Sequence, residues 1–306
     1  MSAIRIPKGS INLAGLLFKP APLPDKSKAP GLVVIHPGGG VKEQTASTYA
    51  KRLAERGFVA ICYDASHQGD SEGLPHFLED PAARVTDASA VVDYLQRLDY
   101  VDANRIAVVG ICAGGGYAAA AAKGDHRLKA VAMVSAVNIG DGARYGWYGK
   151  DQPSSHVADL DQVAQAIQAE ATQGAEAASA PYVPPKPHDD KTPVDLADAY
   201  DYYCTPRAQH KNAQNKMLLR SAPLVLNFDA WQFADLFLTQ PVLIVVGEKA
   251  ESRWHSEKIY KILDGKNDNV KKVVVPNGRH MDFYDKDDFV NPAIDNIVDF
   301  FKPLRV

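Results

Sequence analysis

The chain has 306 residues, 46% hydrophobic and 23% charged, with a net charge of −3. That suits a globular protein with one large α/β domain and an insertion, and gives no electrostatic case for nucleic acid or an anionic membrane surface. Three cysteines, Cys62, Cys112 and Cys204, are too few for a disulfide framework and point to a reducing, cytoplasmic setting.

Ile4–Ile6 and Ile11–Phe18 flank the turn residues Lys8-Gly9-Ser10 and predict an antiparallel hairpin. Residues 20–30 hold four prolines and read as a surface loop. Gly31–Ile35 is the next buried strand, ending in His36-Pro37-Gly38-Gly39-Gly40. Residues 42–57 predict a helix with Tyr49, Leu53 and Ala54 on its inner face, and residues 58–63 a strand. A polar loop over 64–73 precedes an amphipathic helix over 81–98, and Asp102–Arg105 reads as a turn. Ile106–Val109 is a β-branched apolar run, and Tyr117–Ala122 is rich in alanine. Lys129–Ser135, Pro241–Val246 and Val270–Pro276 are further strands, with helices over 256–263 and 291–301. Strands and helices alternating in this way predict a doubly wound, mostly parallel sheet. The apolar stretch at 106–122 is broken by glycines and does not read as a membrane span. The amino terminus carries no apolar signal core.

Residues 138–222 differ. They contain no apolar strand-like run, a helical stretch over 159–180, a proline-rich linker over 181–187 and a short helix over 195–203. They are expected to form a cap inserted into a core made of 1–137 and 223–306.

The chemistry is concentrated at Gly110-Ile111-Cys112-Ala113-Gly114. Strand, tight turn and helix around one reactive residue have the spacing of the G-x-S-x-G nucleophile elbow, with cysteine for serine. A dinucleotide turn would need glycine where Cys112 stands. The glycine-rich loop after Ile35 is expected to supply one oxyanion donor, the N–H of Val41 or Gly40, and Ala113 the other. His280 follows the last strand and suits the general base. Of the acids after the strand at 241–246, Glu251 matches the spacing of a triad acid better than Glu248, with Asp282 third. No metal or cofactor is called for, because the remaining histidines lack metal-ligand spacing.

His36-Pro-Gly-Gly-Gly-Val-Lys-Glu-Gln44, Gly110-Ile-Cys-Ala-Gly-Gly-Gly-Tyr117 and Gly278-Arg-His-Met-Asp-Phe-Tyr284 together resemble the α/β-hydrolase superfamily. Within it they are similar to the dienelactone-hydrolase-like group, to capped bacterial members and to fungal polyketide thiohydrolases and transferases. The resemblance implies an α/β-hydrolase fold and a Cys112–His280–Glu251 triad acting on an ester, thioester or lactone through an acyl-enzyme. Acyl transfer by the same triad, or a silent fold that binds a small molecule, are the alternatives. It also implies that Glu43 contacts the resting nucleophile, whereas a plain first-turn glutamate is the other reading. The cap aromatics Tyr145, Trp147, Tyr148, Tyr202 and Tyr203 are expected to line an acyl pocket, with Arg207 at a polar substrate end. The expected partner is a small acyl substrate, with a homodimer left open.

Overall fold

The computed structural model describes residues 1–21 and 28–305; most of the proline-rich loop expected over 20–30 lies outside the described residues. In chain order the strands are β1 (Ser2–Lys8), β2 (Ile11–Phe18), β3 (Ala29–Ile35), β4 (Val59–Tyr63), β5 (Val101–Ile111), β6 (Leu128–Val134), β7 (Ser179–Ala180), β8 (Met217–Leu218), β9 (Val242–Gly247) and β10 (Val270–Val275). The helices are α1 (Thr45–Glu55), α2 (Pro81–Gln96), α3 (Ala113–Gly124), α4 (Ile139–Tyr145), α5 (Val157–Gln173), α6 (Val194–Cys204), α7 (Ala222–Asn227), α8 (Ala234–Phe237), α9 (Arg253–Leu263), α10 (Asp282–Asp285) and α11 (Asp287–Phe300).

Eight strands form one sheet in the order β1-β2-β4-β3-β5-β6-β9-β10. β1 and β2 pair antiparallel at one edge and every pairing from β4 to β10 is parallel. The central strands β3, β6 and β9 are nearly unbroken runs of buried Val, Ile, Leu and Ala, as a sheet covered on both faces requires. One core layer joins α2, α3 and α9 to the sheet through Val91, Leu95, Ala118, Ile259 and Leu263. The opposite layer joins α1 and α11 through Leu53, Ile294 and Ile297. This is an α/β-hydrolase fold.

Several boundaries differ from expectation; α9 and α11, for example, begin three and four residues early, at Arg253 and Asp287. β5 begins at Val101, so the expected turn at 102–105 lies within the strand, which pairs with β3 across an irregularity at Pro30/Gly31. α1 begins at Thr45 and leaves Glu43 in the preceding loop. α5 stops at Gln173, where Gly174 turns left-handed.

The carboxyl ends of β3, β5, β6, β9 and β10 share one edge of the sheet, where sites form in such folds. The long connection between β6 and β9 lies over that edge. Its last part returns to the core, where Trp231, Ala234 and Leu238 pack in the same layer as α3.

Candidate active site

β5 ends at Ile111 and α3 starts at Ala113, so Cys112 alone makes the turn, at φ 54° and ψ −123°. A non-glycine residue held there costs about 1–3 kcal/mol and must be held by its surroundings. The Cys112 N–H donates to the Val134 carbonyl at 3.0 Å, and its own carbonyl accepts from Gly115 and Val137 at 2.9 Å each. The glycines follow from close approach. A Cβ on Gly110 would lie 2.0 Å from the Gly114 carbonyl oxygen, and one on Gly114 would lie 2.3 Å from that of Ile35.

Cys112 is partly exposed to a cavity. Burial pushes its thiol above the ordinary value, while hydrogen bonds from the Tyr284 hydroxyl and from the N–H groups of Ala113 and Gly38 act against that push. Two backbone donors therefore converge on the sulfur, from the start of α3 and from the loop after β3. The second is Gly38, not Val41 or Gly40. Val41 donates its N–H to Gln44 Oε1 at 3.1 Å and Gly40 to the Pro37 carbonyl at 3.3 Å, so both point into their own loop. His36 fixes that loop: its Nε2 accepts from Ala65 N–H at 3.1 Å, and Arg84 donates to its carbonyl at 2.7 Å.

His280 is buried and lines the same cavity. Its Nδ1 lies 2.6 Å from Ser252 Oγ and its Nε2 lies 3.4 Å from the Tyr284 hydroxyl. Burial pushes the imidazole down to about 3. Among the described residues no carboxylate hydrogen-bonds its ring. Glu251 accepts instead from Val194 N–H at 3.1 Å, Asp195 N–H at 2.9 Å, Trp147 Nε1 at 3.2 Å and the Tyr148 hydroxyl at 3.2 Å. It caps the first turn of α6, because the loop after β9 turns that side chain towards α6 and Ser252 towards His280. Glu248 accepts from Asn277 N–H, and Asp282 from Arg279 N–H and Lys286. Asp195 reaches the backbone of this region, accepting from Glu251 N–H at 2.7 Å and His280 N–H at 3.4 Å; burial pushes its carboxyl up to about 6.

Glu43 does not face the nucleophile. Its carboxylate pairs with Lys42 at 2.7 Å, in a cluster that also contains Asp64 and Asp70. Arg207 is held by Asp198 at 2.5 Å and Asp285 at 2.7 Å, away from the cavity. Of the expected lining aromatics, Trp147 and Tyr203 line the cavity. Tyr202 instead stacks edge-on against Tyr203 and Tyr284. Tyr145 lies beside Arg144 and Lys258.

The cavity above Cys112 has a volume of about 130 Å³. Val137, Ile139, Val183, Leu196 and Met281 supply much of its apolar wall, and among the described residues no Asp, Glu, Lys or Arg lines it. Tyr182 lies across Gly38 and Gly39 and donates to Glu79 at 2.5 Å, as does Tyr117.

Residues 9–282 match the X-Pro dipeptidyl-peptidase (S15) family. The chain belongs to that family. It is 42% identical to the uncharacterized protein YcjY of Escherichia coli (strain K12) over 96% of this chain and 94% of that one. The crystal structure of hypothetical protein PA2218 from Pseudomonas aeruginosa superposes with a TM-score of 0.91, at 29% identity, over 100% of this chain and 93% of that one. The α/β hydrolase GrgF from Penicillium sp. sh18 shares the fold, with a TM-score of 0.81, 19% identity and coverage of 99% and 98%. S15 membership and these α/β-hydrolase neighbours make the chain hydrolase-like.

Sequence reasoning passed over Gly38, Ser252, Tyr284 and Tyr182. Ser252 stands beside the residue chosen, and Tyr284 one helical turn after His280; which of two adjacent side chains faces the histidine is settled by the loop's path, which spacing does not carry.

Proposed function

We propose that the protein is a cysteine-dependent hydrolase of esters or thioesters, lactones included, with a small, neutral, apolar acyl group. The observation that carries this reading is Cys112 at the turn apex with the Ala113 and Gly38 N–H groups converging on its sulfur. Attack by Cys112 on an acyl carbon puts the developing oxyanion beside those donors, where one is worth about 3–4 kcal/mol. His280 acts as base and then as acid, oriented by Ser252 where many such enzymes use a carboxylate. Water then attacks the acyl-enzyme. An alcohol or amine in its place would make the protein an acyltransferase.

The cavity supports the choice of acyl group. At about 130 Å³ it has room for roughly a benzene-sized group. The family name points to dipeptides with a free amino end. A buried ammonium needs a paired carboxylate, and none lines this cavity among the described residues. The test is turnover of p-nitrophenyl esters of increasing chain length, with mass spectrometry of trapped enzyme. Acetate and butyrate should be turned over faster than decanoate, and the acyl group should be found on Cys112. Full turnover by Cys112→Ala would overturn the reading, and binding without turnover in either protein would favour a silent fold.

A further inference from the structure

Tyr284 stands between the thiol and the imidazole. Its hydroxyl hydrogen-bonds Cys112 and lies 3.4 Å from His280 Nε2. The residue is almost fully buried, and its ring is held edge-on against Tyr202 at 5.1 Å and Tyr203 at 6.3 Å. The imidazole ring centre is 5.7 Å from the tyrosine ring centre, and Trp147 closes the other side of His280 at 5.2 Å. The titratable groups around the thiol are Tyr284, Tyr203 and, at longer range, Arg84. The nearest of them to both reacting groups is Tyr284.

We propose that Tyr284 carries the proton between Cys112 and His280, a role that rests on Cys112 being the nucleophile. A hydroxyl can accept one proton while donating its own. The Cys112 S–H bond breaks as its proton joins the Tyr284 oxygen. The original Tyr284 O–H bond breaks as that proton joins His280 Nε2. Tyr284 ends neutral, leaving a thiolate and an imidazolium. Nε2 must be the accepting nitrogen, so Nδ1 carries the resting proton and donates it to Ser252 Oγ, 2.6 Å away. On collapse of the tetrahedral adduct the proton returns along the same two bonds to the leaving group. No tyrosinate is needed at any point, which fits a phenol that burial holds well above its ordinary value.

The experiment measures iodoacetamide alkylation of Cys112 across pH in the wild-type protein, Tyr284→Phe, His280→Ala, the double variant and Tyr145→Phe. The relay requires Tyr284→Phe and His280→Ala each to slow alkylation near pH 7 at least about tenfold, because only the thiolate reacts. The double variant should be no slower than either single one, since both break the same path. Tyr145→Phe, outside the cavity beside Arg144 and Lys258, should keep the wild-type profile. Additive losses in the double variant, or a wild-type rate in Tyr284→Phe, would overturn the relay. A measurement on the wild-type protein guards against misfolding of the variants. The single-turnover acylation rate by p-nitrophenyl acetate should fall along a bowed curve with deuterium fraction, from two protons in flight, and a straight line overturns the proposal. Activity retained by Cys112→Ala would instead remove the nucleophile reading, whatever the Tyr284 variants do.

Discussion

Removing the Ser252 hydroxyl should harm catalysis more than removing the Glu251 charge. In Ser252→Ala the His280 Nδ1–H loses its acceptor at 2.6 Å in a site where the imidazole is 1% exposed. A buried donor left without a partner costs about 1–3 kcal/mol. Read as lost transition-state stabilisation, that is roughly a 5- to 150-fold drop in kcat/KM. Loss of a true triad carboxylate would cost up to about 10⁴-fold. Glu251→Gln keeps an acceptor oxygen and leaves the His280 ring untouched, so kcat should stay within about threefold. It should weaken the cap on the α6 N–H groups of Val194 and Asp195, by about 1–2 kcal/mol, seen as a lower Tm or a raised KM. The assay is steady-state hydrolysis of p-nitrophenyl butyrate with both variants checked by thermal melt. A folded Glu251→Gln protein losing a thousandfold in kcat, beside a near-normal Ser252→Ala, would refute the reasoning.

Two further outcomes follow from buried groups near the site. His255 is fully buried with both ring nitrogens unpartnered, and burial, then His280, push it down to about 3. The unfolded chain therefore binds more protons below about pH 6.5, so stability is complete above that value and is lost as pH falls towards 3. His255→Leu should recover roughly 3 kcal/mol at pH 4 relative to pH 7 in urea titrations; parallel losses in variant and wild type would exclude this cause. Gly110→Ala drives a Cβ to 2.0 Å from the Gly114 carbonyl. It should cost more than about 3 kcal/mol, and a melt within a few degrees of wild type would contradict the described packing.

The parallel sheet was legible because β3, β6 and β9 are continuous apolar runs and the helices between them are periodic. Gly110 and Gly114 announced the elbow, since a tight strand-to-helix turn leaves no room for a side chain. His280 was placed by its position after the last strand. These features are local, and local sterics and periodicity determine them.

What surrounds Cys112 was decided elsewhere. Gly38, rather than Gly40 or Val41, meets the sulfur because His36, Arg84 and Gln44 shape a loop with partners as distant as Arg84, 48 residues from His36, and Ala208, 164 residues from Gln44. Glu251 is drawn off by the N-terminus of α6, 56 residues distant, while Ser252 faces the histidine. Arg207 is taken by Asp285 across 78 residues. Side-chain direction at a loop end depends on contacts made after the chain has closed on itself. The sequence by itself determined the elbow and the sheet that aims it; the tertiary contacts decided which hydroxyls, amides and apolar walls meet the sulfur.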